Sequence, residues 1–132
     1  MQMTATKRRA AIALLGFAVL AANAADRVRA GQWETTVGEG ARAHVMKSCL
    51  SAADAAAMNG DEHAFRAVLE KALGDGACAV KSLRLSGNVV VAENQCGPKA
   101  FTSTTTYHGD SYEQTSTLGS KASARRLGDC PK

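Results

Sequence analysis

Four cysteines constrain the fold of this chain more than any other feature of its sequence. Cys49, Cys78, Cys96 and Cys130 all follow an N-terminal segment that has the pattern of an export signal. An even number of cysteines in a small exported domain is typical of a disulfide framework, here of two bridges. The gaps between them are 28, 17 and 33 residues, whereas zinc sites usually use close C-x-x-C pairs. The spacing therefore favours disulfides over a metal site.

The N-terminal segment has the three parts of a signal peptide over residues 1–24. Residues 7–9 are basic, residues 10–22 form an apolar run, and residues 22–24 offer the small side chains that a signal peptidase reads. We predict cleavage before Ala25 and a periplasmic or secreted location for the remainder. The run is shorter than the roughly 20 apolar residues that span a bilayer, so we expect no transmembrane span. The alternative is a retained N-terminal helix or anchor.

Removal of this segment changes the charge of the chain. The full sequence has 16 basic and 12 acidic residues, but three basic residues lie in the predicted signal, which leaves a formal charge of +1. A nucleic-acid interface needs clustered basic side chains, and Arg125-Arg126 is the one basic doublet after the signal. We therefore expect no nucleic-acid partner.

The pattern of residues 25–132 predicts one domain built mostly from strands. We expect strands at 31–37, 42–48, 79–85, 89–95, 101–107, 111–118 and 121–127. Two helices are expected after the second strand, one capped by Ser51 and one starting at Asp61, whose apolar stripe includes Phe65 and Leu69. The sequence therefore predicts an α+β domain: a curved antiparallel β-meander of about seven strands, with two short helices inserted after the second strand.

One hairpin indicates how the cysteines pair. With a three-residue loop at 86–88, counting back along both strands places Cys78 opposite Cys96. Directly opposed residues are close enough for a bridge, and Cys49 would then pair with Cys130. The pairing of Cys49 with Cys78 and Cys96 with Cys130, and the crossed pattern, remain open alternatives, because sequence alone does not settle connectivity.

The hairpin over residues 101–118 is unusually polar. It is rich in Thr, Ser and Gln. Threonine favours strand geometry, but the side chains of all three residue types bury little apolar surface. One face of this region is therefore expected to be wet, either as outer surface or as the lining of a polar concavity.

No arrangement of residues indicates catalysis. The chain has no G-x-S-x-G elbow, P-loop or H-E-x-x-H motif. His108, Asp110 and Ser111 are neighbours, but turn chemistry explains this stretch, and residues so close cannot easily form a triad. We expect no cofactor or metal and predict a non-catalytic envelope module that binds an unknown ligand or protein partner, or has a structural role. The alternative is a hydrolase acting on envelope material, with carboxylates brought together by the fold.

A series of short motifs resembles a known bacterial family. In order, the motifs are Gly31-Gln32-Trp33-Glu34, Cys49-Leu50-Ser51, Cys78-Ala79-Val80, Ser86-Gly87-Asn88, Cys96, Tyr107-His108-Gly109-Asp110-Ser111-Tyr112 and Arg126-Leu127-Gly128-Asp129-Cys130-Pro131. Together they resemble the secreted family called domain of unknown function 3617, over nearly the whole chain after the signal. The resemblance implies a small envelope protein of Gram-negative bacteria and carries over no catalytic or binding residue. One departure is that the Met- and Pro-rich stretch after the first strand is reduced to Gly38-Glu39-Gly40-Ala41.

Overall fold

A computed structural model describes residues 26–74 and 76–132 and shows a mixed α+β domain. The strands are β1 Gly31–Val37, β2 His44–Leu50, β3 Cys78–Ser86, β4 Val89–Cys96, β5 Lys99–Tyr107, β6 Ser111–Ser116 and β7 Lys121–Gly128. The helices are α1 Ala52–Met58 and α2 Glu62–Leu73, and a short 3-10 turn, Gly40–Arg42, joins β1 to β2. In the part of the chain described, no helix has both the length and the apolar character needed to cross a membrane.

The seven strands form one antiparallel sheet in the order β2-β1-β7-β6-β5-β4-β3. The predicted fold class is confirmed, both in the sheet and in the two helices after β2. The last five strands form a meander, and the final strand, β7, then pairs with β1, so that β2 and β3 occupy opposite edges. The sheet is open and not strongly curled.

The edge positions of β2 and β3 explain why the helices cover one face of the sheet. The chain leaves one edge after Leu50 and must reach the other edge at Cys78, so α1 and α2 cross the face between them. We call this face the inner face.

Each helix begins at a capping side chain: Ser51 accepts from the Asp54 amide at 3.1 Å, and Asp61 accepts from the Ala64 amide at 2.9 Å.

The core lies between the helices and the inner face. Strand alternation sends Trp33, Leu83, Val90 and Tyr107 towards the helices, and Phe65 from α2 packs into the same layer. Phe65 is 1% exposed, and its burial fixes the position of α2 over the sheet. The apolar stripe of α2 therefore packs on the sheet.

Candidate functional site

A groove of about 460 Å³ lies between the helices and the inner face of the sheet. Its walls come from β2, α1, α2 and the three strands β4, β5 and β6. Its volume falls in the range of small-molecule binding sites. The groove exists because the helices, which join opposite edges of the sheet, cover only part of the face that they cross.

The wall formed by the helices is apolar. Its side chains come from the inward stripe of α2, at helical spacing, and from the last turn of α1. They are Met58, Phe65, Val68, Leu69 and Ala72. These five side chains offer van der Waals contact to a molecule in the groove, and the two polar side chains that the helices add to the lining, Asp54 and Lys71, pair with each other.

The floor of the groove, in contrast, is polar where β5 and β6 cross it. Ser103 and Thr105 point inward and are 7% exposed, and Gln114 lies directly opposite Thr105. The Oγ of Ser103 accepts a hydrogen bond from Asn94 Nδ2 at 3.3 Å. These small polar side chains occupy positions that an ordinary sheet-on-helix core would fill with aliphatic residues.

The alternation of β5 divides the Thr-rich hairpin between the two faces of the sheet. Thr102, Thr104 and Thr106 lie on the outer face and are half-buried, while Ser103 and Thr105 lie in the groove. The two roles predicted for this polar segment, wet outer surface and lining of a concavity, therefore apply to alternate residues of the same strand.

Aromatic rings close one end of the groove. The Tyr107 ring lies 5.4 Å from Tyr112 and 6.2 Å from Phe65, measured between centroids, and Tyr112 in turn lies 5.8 Å from Trp33. Burial raises the pKa of Tyr107 well above its ordinary value, and the neighbouring Tyr112 adds to the shift, while Arg27 and a hydrogen bond with Thr105 oppose it. The Tyr107 phenol is therefore a neutral hydrogen-bonding group at physiological pH.

The charged groups of the groove neutralise each other at its rim. Asp54 Oδ2 and Lys71 Nζ lie 3.3 Å apart, and both side chains are partly exposed. Among the described residues that line the groove, Asp54 is the one carboxylate and Lys71 the one cation. Over the same described chain, no cluster of three His, Cys, Asp or Glu side chains is arranged to hold a metal ion.

A buried arginine, which the sequence did not indicate as important, supports the aromatic end. Arg27 donates to the carbonyls of Met58 at 2.9 Å, Gly60 at 3.0 Å and Gly87 at 2.8 Å, and its guanidinium lies 5.9 Å from the Phe65 ring centroid. It thereby ties the end of α1 to the β3–β4 turn. Burial lowers the pKa of Arg27, and the nearby Tyr107 opposes the shift, but an arginine remains charged at neutral pH.

The four cysteines form two bridges outside the groove. Cys78 is bonded to Cys96 across the β3–β4 hairpin, where the two residues are directly opposed, and Cys49 is bonded to Cys130. The described residues include no free cysteine. Two disulfides indicate an oxidising, extracytoplasmic location. The signal peptide predicted over residues 1–24 lies outside the described residues and stays a prediction.

The stretch around His108 is a turn in the structure. The His108 amide donates to the Ser111 carbonyl at 2.8 Å, and the Asp110 carboxylate pairs with Arg29 at 3.3 Å. The first contact closes the turn, and the second joins the turn to the segment before β1. None of these residues lines the groove.

The fold and the groove together define a small disulfide-bonded α+β domain with one partly covered sheet face. The family model described as "Protein of unknown function (DUF3617)" matches residues 28–130. The chain belongs to this family, which confirms the resemblance seen in its ordered motifs. No curated protein and no solved structure matches the chain.

Proposed function

We propose that this domain is a non-catalytic, periplasmic or secreted protein that holds a small amphipathic molecule in the groove. The observation that carries the proposal is the contrast between the two sides of the groove. The helices contribute an apolar wall, and the sheet contributes a floor with Ser103, Thr105 and Gln114 at its centre. A molecule with an apolar body and a hydrogen-bonding group fits both sides.

The polar floor has hydrogen-bonding capacity that a ligand can use. Ser103 already accepts from Asn94, but a hydroxyl can take part in more than one hydrogen bond. Ser103 and Thr105 are nearly buried and lie opposite the apolar residues Ala92 and Val90. Each hydroxyl can donate one hydrogen bond and accept others, so a ligand hydroxyl or carbonyl at this position gains partners that the apolar wall does not supply.

The charges of the groove favour an uncharged ligand. Asp54 and Lys71 already pair at the rim, and the described lining holds no second cation or carboxylate. A charged head group placed on the floor would lose water without gaining a counter-charge, which is unfavourable. The ligand class that fits best is therefore an alcohol, ester or amide with an aliphatic or aromatic body.

The alternative function, a hydrolase of envelope material, needs two acidic side chains that converge in a cleft. Among its described lining residues, the groove has Asp54 alone, and this carboxylate is held by Lys71. No specific observation favours the hydrolase over the binding protein.

The proposal can be tested by displacement of the fluorescent apolar probe N-phenyl-1-naphthylamine from the exported, oxidised protein. Two competitors of equal chain length, 1-decanol and decanoate, separate an uncharged from an anionic head group. We expect 1-decanol to bind at least about tenfold more tightly, because the groove offers hydroxyl partners and no free cation. Failure of the probe and of both competitors to bind would contradict the proposal.

Two neighbouring threonines provide a matched pair of variants. Thr105→Val removes a hydroxyl from the groove floor, whereas Thr104→Val makes the same change on the outer face. Loss of one hydrogen bond of about 1 to 1.5 kcal/mol corresponds to about five- to tenfold weaker binding of 1-decanol by Thr105→Val. Thr104→Val is expected to bind as the wild type does, and equal losses in both variants would place the ligand elsewhere.

A further inference from the structure

The two edges of the sheet differ in how they are protected from other strands. At the β3 edge, a register shift lies between Val80 and Ser82, and Arg66 from α2 donates to the Val80 carbonyl at 2.8 Å. Bulges, charged side chains and covered backbone groups are the ordinary means by which a sheet edge avoids pairing. The charged Lys81 and Arg84 lie on the same strand.

The β2 edge has less of this protection along the part of the chain described. All seven residues of β2 pair with β1 in one continuous register, without a bulge. Six of the seven are exposed, including Val45 at 57% and Met46 at 49%. An exposed, regular edge strand with apolar side chains and one charge, Lys47, has the character of a pairing surface.

We propose that β2 pairs antiparallel with β2 of a second copy of this chain, so that two seven-stranded sheets form one continuous sheet in a dimer. A two-fold axis perpendicular to the sheet makes the two edges self-complementary and keeps both inner faces on the same side. The proposal concerns the sheet edge and does not depend on the ligand proposed for the groove.

Charge and exposure together select the register of this pairing. A two-fold axis at Lys47 would place two lysines directly opposite each other, which is destabilising. An axis at Met46 instead pairs Met46 with itself, Val45 with Lys47, and His44 with Ser48. This register places no like charges opposite each other and uses five exposed residues of β2, whereas an axis at Val45 would use three. An axis at Ser48 would also use five, but they would include the half-buried Leu50 and the disulfide-bonded Cys49.

The Met46-centred register brings the second copy to the mouth of the groove. Ser48 lines the groove on the inner face, and His44 of the second copy would stand opposite it, on the same face. Each copy would thereby contribute an imidazole to the border of the other's groove.

The proposal is tested first by sedimentation velocity of the exported, oxidised protein over a concentration series. We expect a concentration-dependent dimer that Met46→Lys weakens at least about tenfold, because two lysines then oppose each other. Leu118→Lys makes the same change at another exposed apolar residue, 57% exposed in the β6–β7 turn, and is expected to leave the dimer intact. A monomer at every concentration, or equal weakening by both variants, would overturn the proposal.

The register is tested by single cysteines on the inner side of β2. In the Met46-centred dimer, Met46→Cys places two thiols directly opposite, at a separation that permits a disulfide. Ser48→Cys, on the same face and also exposed, places the thiols four residues apart along the strands, too far to bond. We expect rapid covalent dimer formation in air for Met46→Cys alone. Equal or faster cross-linking of Ser48→Cys would refute this register.

Discussion

At the scale of single residues, the domain depends on a buried charged group that has no acidic partner among the described residues. Arg27 is 5% exposed, and carbonyl oxygens rather than a carboxylate receive its hydrogen bonds. Two of these carbonyls, those of Met58 and Gly60, lie at the end of α1, where the helix carries partial negative charge. The guanidinium is therefore stabilised by backbone dipoles and by hydrogen bonds to a charged donor, which are stronger than neutral ones.

Replacement of this arginine is predicted to destabilise the domain strongly. Arg27→Met leaves the three carbonyls without their donor and is expected to lower the free energy of unfolding by about 2 to 4 kcal/mol. Arg29→Met is the matched control, because Arg29 is two residues away and makes an exposed ion pair with Asp110. The control is expected to change the stability by about 0.5 kcal/mol or less. Urea denaturation measures both, and similar losses would contradict the assigned role.

The residue scale also shows which features of the domain and its groove the sequence could predict. The four cysteines were identifiable because a count and a hairpin register are local properties of the chain. The importance of Arg27 could not be predicted. The carbonyl groups that accept its hydrogen bonds lie at positions 58, 60 and 87 and come together only in the folded protein. Thr105 was recognised as part of a polar segment. The sequence did not show that Thr105 faces the groove and Thr104 the outer face, because this depends on which side of the sheet the helices cover.

At the scale of elements, local patterns predicted the strands and helices well and long-range pairing poorly. Alternation and turn residues located the seven strands, and caps located both helices. The pairing of β1 with β7 joins segments at opposite ends of the domain, and no local pattern encodes it. The groove follows from this pairing, since it moves β2 to the far edge and makes the helices cross the whole face.

The contact between β1 and β7 predicts a strict requirement for glycine at the start of β1. Gly31 has a φ of 146°, and a Cβ there would clash with the Gly128 carbonyl oxygen and lie 2.6 Å from Arg126 Nε. Gly31→Ala is therefore expected to cost about 2 to 4 kcal/mol of stability, from backbone strain and from separation of the two strands. Thermal and urea denaturation of the purified variant measure this loss.

Gly119→Ala separates strain from steric contact. Gly119 also has a positive φ, 81°, but a Cβ there would meet no atom within 4 Å. The control is expected to lose only about 1 kcal/mol, the cost of placing a side chain in a left-handed conformation. If the two alanines were equally destabilising, close approach of β1 and β7 would not explain the glycine at position 31.

At the scale of the whole molecule, the two disulfides constrain the chain over different distances. Cys78 and Cys96 are 18 residues apart and close one hairpin, whereas Cys49 and Cys130 are 81 residues apart. The second bridge joins the β2 edge to the C-terminal segment beyond β7, across the end of β1. It therefore closes a loop that contains both helices and five of the seven strands.

This difference predicts which bridge contributes more to stability. In the chain-entropy model, the shorter loop contributes about 3 kcal/mol and the longer loop about 4.5 kcal/mol. The double variant Cys49→Ala/Cys130→Ala is therefore expected to lose more unfolding free energy in urea than Cys78→Ala/Cys96→Ala. Hydrogen exchange should locate the effects: opening of β2 and the C-terminal segment in the first variant, and of β3 and β4 in the second. A larger loss of unfolding free energy in Cys78→Ala/Cys96→Ala would contradict the chain-entropy explanation, in which the bridge that closes the longer loop restricts the unfolded chain more.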